Sequence, residues 1–115
     1  MHVLIAREIE RLRSFSCRCQ ERNDFLTSYW SLKRVLDIAD KDSLGCECYA
    51  DILVELGLVC MTLRKVAEGK SYFTNALTLY REIYPESGFP VQECISRIEQ
   101  AETGVPAQSQ ATLRS

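Results

Sequence analysis

The sequence predicts an all-α chain of stacked antiparallel helical hairpins, and three observations carry that prediction. Leu53, Leu56, Gly57 and Cys60 fall at i, i+3, i+4 and i+7, which places them on one face of a helix. After a basic break at Arg64 and Lys65, Gly69, Phe73, Ala76 and Tyr80 recur at intervals of three or four, with Leu77 and Ile83 widening the stripe. Nearly the same succession of small and large residues stands 41 positions upstream (Gly57 minus Ser16), the one exception being the small Ala76, which becomes Val35. There Leu12, Phe15, Ser16 and Cys19 align with the first series, and Ser28, Leu32 and Val35 align with Gly69, Phe73 and Ala76. Helices this short are marginal in water, so each must bury its stripe against a neighbour. The break at Arg64 is short enough to turn the chain into a hairpin.

Taken in order, residues 3–19 read as the first helix. Ile5, Ile9, Leu12, Phe15, Ser16 and Cys19 mark one long face, while Arg7, Glu8, Arg11, Arg13 and Arg18 lie mostly off it. Asn23-Asp24-Phe25 is the turn, since Asn tolerates the left-handed backbone of a helix exit. Residues 25–39 give the second helix, with Tyr29, Leu32, Val35, Leu36 and Ala39 inward and Trp30 beside them. The polar run 40–43 marks an exit. Residues 44–63 and 66–84 give the third and fourth helices. Gly57 inside the third costs roughly 1 kcal/mol against alanine, a cost accepted where another helix must approach closely. Gly69 and Ala76 offer the same approach from the fourth. Pro and Gly in residues 85–90 stop that helix. Beyond them Val91, Cys94, Ile95 and Ile98 mark a fifth helix, with Pro90 suited to its first turn. Gln92, Glu93, Ser96, Arg97, Glu99 and Gln100 give that helix a polar side, as a capping helix needs. The expected organisation is one helical domain at 1–101, with repeats at about 9–42 and 50–83, a capping helix at about 90–101, and a disordered tail at 102–115.

The ordered series Leu53, Leu56-Gly57, Cys60, Gly69, Phe73, Ala76 and Pro85 resembles the tetratricopeptide repeat (TPR), a helix-turn-helix unit. Cys60 stands where that pattern has a tyrosine, and Arg64 where its turn has a glycine. A spacing of 41 exceeds the usual 34. It looks like the longer version seen in kinesin light chains. The resemblance implies a helical solenoid whose first helices line a concave wall that binds a partner peptide or helix. On that wall it places Arg13, Cys17 and Gln20 in the first repeat, and Asp51, Val54, Glu55, Leu58, Met61 and Thr62 in the second. Periodicity alone leaves a second possibility, that these apolar residues pack against the next helix. A chaperone-tail clamp is not expected, because Arg13 is the only clamp-like residue while Cys17, Glu55 and Gln92 occupy other clamp positions.

Composition narrows the function classes. The chain has 115 residues, 46% hydrophobic and 26% charged, which fits a globular domain with a core. A net charge of −2 gives no electrostatic footprint for nucleic acid. The apolar run at residues 3–6 is too short for a signal peptide, and no segment approaches the length of a membrane span. The expected address is cytoplasmic, or nuclear by diffusion.

Six cysteines raise the question of zinc. Cys17-x-Cys19 and Cys46-x-Cys48 place paired residues two apart, which on a helix point to nearly opposite sides, and zinc pairs ordinarily have two to four residues between them. Free cysteine packs as a small hydrophobe, and Cys19 and Cys60 fall on the inward stripes. His2, the only histidine, lies at the chain's start, away from any nucleophile pattern, and Asp37/Asp40 and Glu47/Asp51 read as solvated helix faces. The sequence therefore points to a non-catalytic protein-protein interaction module without metal or cofactor. The alternative is a small helical subunit of a larger repeat assembly acting through self-association or pairing with other chains.

Overall fold

The computed structural model describes residues 2–39 and 44–103. Among them run five helices and no strand: α1 His2–Glu21, α2 Phe25–Ile38, α3 Cys46–Thr62, α4 Val66–Ile83 and α5 Phe89–Thr103. The polar exit at 40–43 and the expected tail from 104 onward lie outside the described residues. Most boundaries fall within a residue or two of the sequence expectation, and two of the differences have a visible cause. Helix α3 begins at Cys46 because Gly45 adopts φ +89, a left-handed setting that a residue without Cβ reaches easily. Helix α5 continues through Glu102 and Thr103, and Lys70 Nζ meets Glu102 Oε2 at 3.1 Å to tie α4 to it.

Helix α1 packs on α2, α3 on α4, α4 on α5, and α2 joins the two hairpins by packing on α3. The two hairpin turns are built alike at the 41-residue offset. In the first, the Asp24 N–H bonds the Cys19 carbonyl at 2.8 Å and the Asn23 N–H bonds the Gln20 carbonyl at 3.0 Å. In the second, Lys65 bonds Cys60 at 2.8 Å and Arg64 bonds Met61 at 3.1 Å. This pair of bonds is the Schellman closure, which satisfies the last carbonyls of a helix when the next residue turns left-handed. Asn23 has φ 62 and Arg64 has φ 65. Asp24 then caps α2, its side chain accepting from the Thr27 N–H at 3.2 Å.

Helix α3 is apolar on two sides because it serves two cores. Ile52, Leu56, Val59 and Cys60 join Ile9, Tyr29, Leu32 and Val35 in the core between the hairpins. Ala50 and Leu53 join Ala76, Leu77, Tyr80, Val91 and Cys94 in a second core closed by α5. A helix buried on two sides shows this wide distribution of apolar residues. Helix α5 buries Val91, Cys94 and Ala101 and turns Gln92, Ser96 and Glu99 outward.

The small residues predicted to allow close approach do so. A Cβ at Gly57 would stand 2.5 Å from Phe73 Cε1, and one at Gly69 would stand 3.1 Å from the Gly57 carbonyl oxygen. The equivalent pair in the first hairpin is Ser16 and Ser28, whose buried hydroxyls lie 2.5 Å apart. Phe15 departs from expectation. Its helical stripe predicts it inward, yet it is 40% exposed, while its counterpart Leu56 is fully buried. Leu56 is covered by the core that α2 helps to build, whereas Phe15 lies outside both cores, with the Arg18 guanidinium 5.9 Å from its ring centroid.

Candidate partner-binding cleft

The first helices of the two hairpins enclose an open cleft of about 430 Å³. Helix α1 contributes Ala6, Ile9, Glu10, Arg13, Ser14 and Cys17. The other wall is formed by Leu44, Cys48 and Glu55. Helical spacing explains the α1 set, since positions 6, 10, 13 and 17 follow one another along a single face. Residues 48 and 55, two turns apart, do the same on α3.

Arg13 crosses the cleft. Its Nη2 meets Glu55 Oε2 at 2.8 Å and its Nη1 lies 3.8 Å from Cys48 Sγ. The pair is about one-third exposed on each side, so it retains much of its hydration and contributes on the order of 0.2–1 kcal/mol. It joins two helices that otherwise touch little. Glu10 makes no ion pair among the described residues.

Of the predicted wall residues, Arg13, Cys17 and Glu55 line this cleft together. Asp51 lies one turn before Glu55 and accepts a hydrogen bond from the Tyr80 hydroxyl. Leu58 and Thr62 continue the same face, and Thr62 Oγ1 donates to the Leu58 carbonyl at 3.1 Å. Leu58 is 36% exposed. The remaining three are engaged in packing. Gln20 is half-buried within the first hairpin, where its Nε2 donates to Ser28 Oγ at 3.0 Å and to Ser16 Oγ at 3.3 Å. Val54 packs against the second core. Met61 is half-buried, its Sδ 3.1 Å from where a Cβ on Gly69 would stand. Gln20 and Met61 are equivalents at the 41-residue offset, and both fill the space beside the small pair.

Ala6, Ile9, Glu10, Ser14, Leu44 and Cys48 line the cleft without having been singled out for it. The signal was present for α1, because extending the face of Arg13 and Cys17 by two turns toward the N-terminus reaches Glu10 and Ala6. Leu44 could not be found this way, since Gly45 breaks the helical register between it and α3.

Away from the cleft, Glu68 on α4 gathers groups from α2 and from its own helix. It accepts from the Tyr29 hydroxyl at 2.5 Å and the Tyr72 hydroxyl at 3.2 Å, with Lys33 Nζ at 3.9 Å. Burial, then the bond to Glu68 and its charge, push the Tyr29 phenol up to about 12. Burial and the Glu68 carboxylate also raise Tyr72, and burial and Asp51 raise Tyr80. Burial raises the Cys60 thiol to about 12 and the Cys94 thiol to about 11. Cys17 is exposed while Cys19 is buried, so this pair does point apart. Among the described residues no group of three His, Cys, Asp or Glu side chains is placed to hold a metal ion. No helix among them is long and apolar enough to cross a membrane.

Comparison with protein-family models, with curated proteins and with solved structures finds no match to this chain.

Proposed function

We propose that this chain is a non-catalytic interaction module of the tetratricopeptide kind, which binds a partner peptide or helix along the wall formed by α1 and α3. The observation that carries the reading is the open cleft between the first helices of the two hairpins, with Arg13, Cys17 and Glu55 gathered on it. The matching turns and the matching small-residue pairs at a 41-residue offset support repeat architecture. Leu58 and Thr62 extend the wall beyond the cleft. The reading places the chain in the cytoplasm or nucleus.

Selection from a displayed random-peptide library tests it. Peptides selected on the native chain should lose binding to a Ser14→Trp variant, in which an exposed lining residue is enlarged to plug the cleft. Circular dichroism of the variant controls for folding. Selected peptides that bind the plugged chain as tightly as the native one would overturn the reading.

A second reading, assembly through apolar surfaces, is favoured by a different observation. The first hairpin exposes Leu4, Phe15, Leu26 and Trp30, with Leu26 and Trp30 53% and 59% exposed one turn apart on α2. Sedimentation across a concentration series separates the two readings. Assembly predicts a mass that rises with concentration and falls back in Trp30→Ser, whereas a constant 13.1 kDa would exclude self-association.

A further inference from the structure

We propose that the segment occupying the α1/α3 cleft is basic, carrying lysine or arginine among apolar residues. This rests on the interaction-module reading and adds to it the chemistry of the partner. The cleft and the α3 face beside it carry three carboxylates, Glu10, Asp51 and Glu55, against one cation, Arg13. Arg13 is matched by Glu55 at 2.8 Å. Asp51 accepts from the neutral Tyr80 hydroxyl, which leaves its charge in place. Glu10 is exposed and makes no ion pair among the described residues. Among the described residues, then, two carboxylates on one wall have no ion-pair partner.

Three nearby cations are engaged elsewhere. Arg11 is held by Glu8 at 2.5 Å, and Arg18 lies over Phe15. Lys33 is turned toward Glu68 and the Tyr29 and Trp30 rings on α2. Ile9, Leu44 and the Cys48 thiol supply the apolar floor. An acidic segment would meet repulsion from Glu10 and Asp51, and a purely apolar one would leave their charge unanswered. A cationic side chain placed between them meets a field that the one cleft cation, already paired, does not cancel.

The test uses peptides selected from the displayed library on the full chain and then resynthesised. They should be net positive and bind less tightly as salt is raised from about 0.05 to 0.5 M, because screening shortens the reach of exposed charges. Glu10→Gln and Asp51→Asn should each weaken binding roughly two- to five-fold, the range set by single exposed ion pairs. Asp51→Asn keeps an oxygen to accept the Tyr80 hydroxyl, so the fold is retained. Glu10→Lys should weaken binding further and shift a fresh selection toward acidic peptides. If the selected peptides are neutral or acidic, or indifferent to these substitutions, while Ser14→Trp still abolishes binding, the cleft binds a partner but the charge assignment is wrong. If Ser14→Trp has no effect, both proposals fail.

Discussion

Gly57 shows how a single residue sets the distance between two helices. Its backbone lies against the fully buried Phe73, so any side chain at this position would overlap a ring that cannot swing away. Alanine normally gains about 1 kcal/mol over glycine inside a helix. At this site Gly57→Ala should instead destabilise the chain by about 1–3 kcal/mol, as overpacked cores do. A lowered urea midpoint with an unchanged slope would show it; an unchanged or raised midpoint would mean that the helices separate easily. Gly69→Ala should be milder, because its nearest neighbours are at 3.1 Å and one of them is the flexible Met61 thioether. The small class of Gly57, Gly69, Ser16 and Ser28 could be read from spacing. What spacing could not provide was the use made of it. Ser16 and Ser28 share a hydrogen-bonded node with Gln20, so a residue assigned to the wall by position is held inside the hairpin by its amide. Phe15 was misplaced for the complementary reason, since a helical stripe does not say which side a neighbouring helix will cover.

At the level of elements, the two turns carry the strongest internal correspondence. The same two hydrogen bonds close both, but with residues of different quality at the left-handed position. Asn23 accepts that conformation readily. Arg64 does not, and its Cβ crowds the backbone there at a cost of roughly 1 kcal/mol. Arg64→Gly should therefore stabilise the chain by about 0.5–1 kcal/mol, less than the full relief because glycine also loosens the unfolded chain. Asn23→Gly should change stability by less than Arg64→Gly does. Urea unfolding of both variants measures the difference, and a destabilised Arg64→Gly would mean that the arginine side chain makes a contribution the turn geometry does not reveal. The existence, order and type of all five helices were legible because apolar stripes and punctuating Asn, Gly and Pro agree. The start of α3 was not, because Leu44 continues the apolar pattern in sequence while Gly45 interrupts it in conformation.

Across the whole molecule, tyrosine hydroxyls bond to carboxylates, three of the four bonds bridging residues far apart in sequence. Tyr29 and Tyr72 share Glu68, Tyr80 bonds Asp51, and Tyr84 bonds Glu47. The Tyr29 phenol is pushed from its ordinary 10 to about 12 in the folded chain. Between those values the unfolded chain has released a proton that the folded chain retains, so stability is complete below about pH 10 and declines as pH rises toward 12. The raised Tyr72 and Tyr80 act in the same direction. Thermal midpoints should fall above about pH 10, less steeply in Tyr29→Phe, which has no proton there to lose. Identical profiles for the two chains would remove Tyr29 from the account. A third of the cleft's lining was likewise legible in the sequence. Arg13, Cys17 and Glu55 could be named from helix positions, but their meeting across one cleft depends on how the first hairpin docks against the second. The sequence by itself determined local matters: which segments are helical, where the chain reverses, and which residues had to be small. Those follow from periodicity and backbone sterics within a few turns of chain. Only the tertiary structure decided that α3 serves two cores, that Gln20 turns inward, and that Arg13 bridges to Glu55 and leaves Glu10 without an ion pair among the described residues. Each of these depends on contacts between residues far apart in sequence, for which a helical stripe records the need for a neighbour but not its identity.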